Sequence, residues 1–336
     1  MSEVAVPARV REGIAARISV IGALAAVAGL MFLASLFVGP TGVGLPQGGE
    51  AARMILMEIR LPRAILGALI GGALGLSGAV LQGYLRNPLA EPGLLGISGG
   101  AALGAVVAIH TGAAGAFAIA LPAGGLLGAA VAAMAVILLA GERSGPITLI
   151  LAGVAISSLA GALTTLALNL SPNPFALVEM LFWLLGSLTD RSLIHVWLAA
   201  PLILLGGALL LTTGRALDAL TLGEDAAQNL GVDLSSLRNR IVAGTALSVG
   251  AATAVAGTIG FVGLVVPHLL RPLVGHEPQR LLPASALGGA ALILAADVAL
   301  RLFAPLSEVR LGVVTALVGA PFFLWLILKT RRELGP

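Results

Sequence analysis

A chain of 336 residues that is 58% hydrophobic and 10% charged is excluded from the soluble globular class, where about a quarter of the residues carry charge. Its formal charge of +3 is small and its basic residues lie in short clusters between long apolar runs, which argues against nucleic acid as a partner. It has no cysteine, so disulfide, thiolate and iron–sulfur chemistry are excluded.

The charge-free runs are 18–49, 64–85, 92–141, 144–178, 192–214, 241–270, 281–296 and 311–328. A spanning helix needs about 20 apolar residues, so most runs hold one span. The run 92–141 holds two, divided at His110-Thr111-Gly112, and 241–270 divides at Gly257-Thr258-Ile259-Gly260. Both ends of the chain are basic, with Arg9, Arg11 and Arg17 at one and Lys329, Arg331 and Arg332 at the other. The positive-inside rule places both termini in the cytoplasm, which requires an even number of spans. The sequence therefore predicts an all-α polytopic membrane protein with about ten transmembrane helices in one domain, 1–336. The spans fall near 18–38, 63–84, 93–110, 116–140, 147–169, 192–213, 238–256, 259–274, 281–300 and 310–329. On this topology 13 of the 19 Lys and Arg residues are cytoplasmic and six are outside. The first span lacks a cleavage site after a short apolar core and reads as a retained helix.

Glycine recurs every four residues at Gly67, Gly71 and Gly75, and again at Gly96, Gly100 and Gly104. Such stripes let helix backbones approach closely in lipid, so they read as packing surfaces. Sets of four spans begin at Arg63 and at Arg238 from opposite sides of the membrane, an arrangement that suits an inverted repeat.

The one sizeable polar loop is cytoplasmic and occupies about 215–238. In it, Gly223 precedes a short helix opened by Glu224 and Asp225, and Gly231 caps its end. Leu220, Leu222 and Leu230 give this piece apolar surface and it has no basic face, so it reads as a docking point for a protein partner.

Several chemistries are absent. There is no Gly-x4-Gly-Lys-Ser/Thr loop; the only lysine is Lys329, so the chain has no nucleotide site of that kind. His110, His195, His268 and His276 are far apart in sequence, without metal-ligand spacing, and read as interfacial or capping residues. A stand-alone secondary transporter or channel would show ionisable groups at mid-membrane or broken helices. An intramembrane enzyme would show a buried acid, His or Ser pair. The predicted spans show neither pattern. The reading is thus a transport chain that is not an enzyme, has no catalytic, cofactor or metal residues, and takes its energy from a partner.

Specific motifs then point to a family. Arg60-Leu-Pro-Arg63, Gly75-Leu-Ser-Gly78, Gln82 and Asn87-Pro-Leu-Ala-Glu-Pro-Gly-Leu-Leu-Gly96 are followed by Leu151-Ala-Gly-Val154 and Phe182-Trp-Leu-Leu-Gly-Ser187. Gly260-Phe-Val-Gly-Leu-Val-Val-Pro-His268, Asp297 to Arg301, Gly312-Val-Val-Thr315 and Gly319-Ala-Pro-Phe322 complete the set. In this order, over nearly the whole chain, they resemble the permease subunits of ABC importers for iron chelates, haem and vitamin B12, the FecCD/BtuC-like family.

The resemblance implies a BtuC-like permease fold in the inner membrane and alternating access. It implies a second copy of the chain, two ATP-binding-cassette ATPase subunits that use ATP and Mg, and a periplasmic or lipid-anchored substrate-binding protein. The cargo would be a ferric siderophore, haem or cobalamin. Leu217, Leu220, Leu222, Gly223, Glu224, Asp225, Ala226, Ala227, Leu230 and Gly231 would couple to the ATPase; the Leu-Pro that often follows this motif is missing. Arg60, Arg63 and Arg301 would meet glutamates of the binding protein, a geometry that suits the guanidinium fork. Arg310 replaces the family's usual proline and joins that outer set. Asn87 and Leu89 would form a cytoplasmic gate, with Ser144 and Thr148 on its other wall.

Overall fold

The structure, a computed structural model, describes residues 8–39, 42–44, 48–117, 119–141, 145–171, 173–303 and 309–334. The chain opens with α1 (Ala8–Phe37) and a minimal antiparallel hairpin, β1 (Val38–Gly39) with β2 (Gly42–Val43). Next, α2 (Gly49–Met54) runs through a π-helical turn, Ile55–Arg60, into α3 (Leu61–Tyr84). A 3-10 turn, Pro92–Leu95, leads into α4 (Ile97–His110), and α5 (Ala113–Ala116), α6 (Ala120–Ala140), α7 (Pro146–Asn169) and α8 (Pro174–Leu184) follow. Then come α9 (Leu193–Leu211), the short helices α10 (Gly214–Leu220) and α11 (Glu224–Asn229), and α12 (Leu234–Ala256). The chain closes with α13 (Val262–Leu270), a 3-10 turn at Arg271–Val274, α14 (Pro278–Phe303) and α15 (Leu311–Leu334).

Each of the ten predicted spans has its helix, but the spans are not alike. Among the described residues, seven helices are long and apolar enough to cross a membrane by themselves. The other three are α4, α13 and α12. At 23 residues α12 is long enough, but it carries Arg238, Asn239 and Arg240 and a run of Gly, Ala, Ser and Thr. It is the central helix, packed against α9, α6, α3 and α4, and most of its residues are buried. Small residues give such a helix its close neighbours, and low hydropathy costs little where lipid is not the neighbour.

The glycine stripes pack as the sequence implies. A Cβ on Gly71 would lie 2.2 Å from the Gly289 carbonyl oxygen and one on Gly75 2.1 Å from that of Ser285, so α3 and α14 meet backbone to backbone. Gly104 faces Gly124 in the same way across α4 and α6. The main core lies between α3, α12, α14 and α9.

One feature departs from the sequence reading and a second matches it. The first is α8, too short to span, in the connection between two predicted spans. Asn173 caps it, its Oδ1 accepting from the Ala176 amide at 2.8 Å, and Pro174 is preset for the first turn. The second is a broken helix, at the division read from Gly257-Thr258-Ile259-Gly260. Between α12 and α13 the chain leaves helical geometry over Gly257–Phe261, with Gly257 at φ 76° and Phe261 at φ 67°. Neighbouring loops satisfy this backbone: the Ser187 amide donates to Ala256 O at 2.7 Å, and the Thr258 hydroxyl donates to Leu184 O. Irregular backbone at membrane depth is tolerated when buried in protein in this way.

Candidate functional site

At the end predicted to be cytoplasmic, α10 and α11 form the expected helix pair. Gly223 at φ 103° opens α11 and Gly231 at φ 86° closes it, conformations that strain any residue with a Cβ. The predicted coupling residues divide into two groups. Leu217, Leu220 and Ala227 are buried in the main core, so they anchor the pair and are closed to direct contact with another protein. Leu222 and Leu230 project outward, 69% and 66% exposed, and Asp225 is exposed beside them. Asp218 fixes the pair from the other side, its Oδ1 accepting from the Gln279 amide at 2.9 Å in the first turn of α14. Asp233 caps α12 through the Ser235 and Ser236 amides, and the Ser235 hydroxyl bond holds its carboxyl below the usual range.

The proposed gate turn follows α3. Asn87 Oδ1 accepts from the Leu89 amide at 2.9 Å, which holds the turn closed on itself. Arg86 takes a left-handed conformation, φ 49°, where glycine is the ordinary choice. Its guanidinium reaches Glu224 at 3.1 Å, so turn and coupling helix touch through an ion pair. Thr148 is exposed in the first turn of α7; Ser144 lies outside the described residues. From Pro88 the chain turns back into the bundle, and Glu91 is within reach of the Phe261 backbone amide. Glu91 is thus an acid tucked against the helix break.

Gln82 and Arg271 are functional candidates that the sequence reading did not assign. Gln82 is 2% exposed; its Nε2 donates to Leu264 O at 3.2 Å and its Oε1 accepts from Arg271 at 2.6 Å. This ties α3 to both ends of α13. Arg271 looked in sequence like a topology signal only, and nothing local marks its partner 189 positions away.

At the end predicted to face outward, the docking arginines are engaged within the chain itself. Arg60 is buried and donates to Leu36 O and Gly44 O, both at 2.8 Å. Arg301 is also buried, donating to Ser35 O at 2.9 Å, Val38 O at 2.6 Å and Ser35 Oγ at 2.7 Å. Asp297, 1% exposed, pairs with Arg63 at 2.7 Å and with Arg301 at 2.9 Å. Arg60 and Arg301 therefore do not stand as free forks toward a partner. They staple the hairpin after α1 onto α3 and α14, because a buried cation is stable only with its donors satisfied. Arg310 behaves differently: its guanidinium lies 4.8 Å from the centre of the Phe182 ring.

Of the histidines, His195 is a capping residue, its Nδ1 accepting from the Ser192 amide at 3.2 Å. Among the described residues no three His, Cys, Asp or Glu side chains gather as metal ligands would.

Comparison with known proteins bears on this arrangement. Residues 19–329 match the model of the FecCD transport family. The chain is 40% identical over 293 residues to the cobalamin import system permease protein BtuC of Halobacterium salinarum, covering 87% of this chain and 77% of that protein. It is 40% identical over 296 residues to the hemin transport system permease protein HmuU of Yersinia pestis, covering 84% and 86%. A solved structure described as an inward-facing conformation of a metal-chelate type ABC transporter superposes with a TM-score of 0.84 at 32% identity, over 93% of this chain and 99% of that one.

Proposed function

The chain belongs to the FecCD transport family, and from that footing we propose how its inner and outer ends do their work. It is the multi-pass inner-membrane permease of an ABC importer, a transport subunit and not an enzyme, working with an ATPase and a substrate-binding protein. Its cargo is a metal chelate of the class that includes cobalamin, haem and ferric siderophores.

The observation that carries the mechanism is the division within the coupling segment. A lever needs one face fixed to what it moves and another face open to what drives it. Leu217, Leu220 and Ala227 supply the fixed face; Leu222, Asp225 and Leu230 supply the open one. ATP and Mg act in the partner ATPase, whose closure displaces α10 and α11. The displacement reaches the gate turn at Asn87 and Leu89 through the Arg86–Glu224 pair and opens or shuts the wall completed by Ser144 and Thr148.

Two copies of the chain enclose the pathway. The support is α7, which buries only Leu149, Ala152, Gly153 and Ala160 along 24 residues, with α15 similarly bare. Both termini lie in the cytoplasm, and the outer platform braced by Arg60, Arg63 and Arg301 receives the binding protein.

The test is ATP-driven uptake in liposomes holding the permease, its ATPase and its binding protein, with cobalamin, hemin and a ferric siderophore offered in turn. Accumulation of one of them that stops without ATP or without the binding protein is expected. Uptake that continues without the ATPase sinks the reading.

A further inference from the structure

Arginines 60, 63, 238, 271 and 301 donate to named acceptors in the bundle. Two at the outer mouth do not. The Nε atoms of Arg191 and Arg310 are enclosed without a hydrogen-bond partner among the described residues. Arg191 sits in the loop between α8 and α9, and burial, with Arg310 nearby, pushes its guanidinium below the ordinary value despite adjacent Asp190. Two cations near enough to repel, whose enclosed Nε donors meet no acceptor among the described residues, offer those donors to an anion.

The surroundings say what kind of anion. The Phe182 ring lies under the Arg310 guanidinium, and two residues on, Leu184 enters the wall of an apolar groove of about 570 Å³. Its other walls are the unwound stretch at Thr258–Phe261 and the first turns of α15, including Gly312, Val313 and Ala316. Neither arginine lines the groove, but its wall residues Leu184 and Gly312 follow Phe182 and Arg310 by two positions, and a slot so flanked fits an amphiphile: a flat or bulky apolar body with an acid group at its rim.

We propose that Arg191 and Arg310 receive a carboxylate of the transported chelate at the outer mouth, with the apolar body of the chelate in the adjoining groove. The cargo is then an anionic chelate, such as a haem with its propionates or a ferric carboxylate complex. Cobalamin carries amides where these carry free carboxylates and does not fit. This inference rests on the permease reading above and narrows its substrate.

The test uses the full importer in liposomes, with hemin, ferric citrate, hemin dimethyl ester and cobalamin as probes. Wild type is expected to take up hemin or ferric citrate, but neither the ester nor cobalamin. Arg191→Gln/Arg310→Gln is expected to lower that uptake at least about tenfold, the loss of two charge-assisted contacts, with ATPase co-purification unchanged. Loss of the ATPase from the wild-type assembly would count against the permease reading instead. Uptake of cobalamin, uptake of neither anionic probe, or undiminished uptake by the double variant overturns the proposal. So does an equal fall in binding-protein affinity for the double variant, which would give the carboxylate to the binding protein. The melting midpoint of the double variant, expected at or above that of wild type, shows that it folds.

Discussion

Two groups of arginines share the outer rim and differ in every physical respect. Arg60 and Arg301 are bonded to carbonyls, and Arg63 and Arg301 share one carboxylate, Asp297. Arg191 and Arg310 have enclosed donors and no acceptor among the described residues. The first group builds the rim and the second leaves it unfinished. Residue type and side of the membrane, which is all a sequence shows, do not separate an arginine that holds the protein together from one that waits for a ligand. The acceptors within reach separate them.

Substitutions should widen that contrast. Asp297→Ala strands two guanidinium groups at a buried site and is expected to cost about 3–5 kcal/mol, read as a large fall in the unfolding midpoint of the solubilised protein. If its midpoint matches wild type, the rim is not held by this network. Arg301→Met leaves Ser35 O and Val38 O without their donor but keeps Arg63 on Asp297; the expected loss is about 1–3 kcal/mol in the same measurement. Arg310→Gln removes a stacking contact with Phe182 but also relieves repulsion with Arg191, so stability should stay within about 1 kcal/mol of wild type, while uptake falls. A destabilisation as large as that of Arg301→Met would erase the distinction between the groups. Smallest of all is Arg86→Gln at the inner end. Its partner Glu224 is partly exposed, so stability should stay within about 0.5 kcal/mol of wild type. The same variant should uncouple ATP hydrolysis from uptake, and an unchanged uptake per ATP would remove the Arg86–Glu224 pair from the mechanism.

Much of the fold was legible because lipid imposes simple rules on sequence. Charge-free length marked the spans, basic ends set their number, and the four-residue glycine spacing marked the α3–α14 seam. Where the neighbour is protein, those rules weaken. The break at Gly257–Phe261 was legible from its two glycines, but the groups that satisfy its backbone, Leu184 and Ser187, lie far away in the chain. The short α8 is invisible to a length criterion, although Asn173-Pro174 is a readable start signal. The coupling segment was legible as an element from Gly223 and Gly231, but which leucines it buries depends on how it lies against the bundle. The outer arginines were read only as facing a partner protein; Arg301 reaches Ser35 across 266 positions, and nothing local encodes that contact.

The central claim is that a bundle with no Gly-x4-Gly-Lys-Ser/Thr loop in its sequence is driven through the short segment 217–231. Replacing 217–231 by a glycine–serine linker of equal length, and measuring ATP-dependent uptake beside ATPase co-purification, tests it most directly. The bundle should remain in the membrane, the ATPase should no longer co-purify, and uptake should vanish. A variant that keeps the ATPase bound and still accumulates cargo would contradict the account.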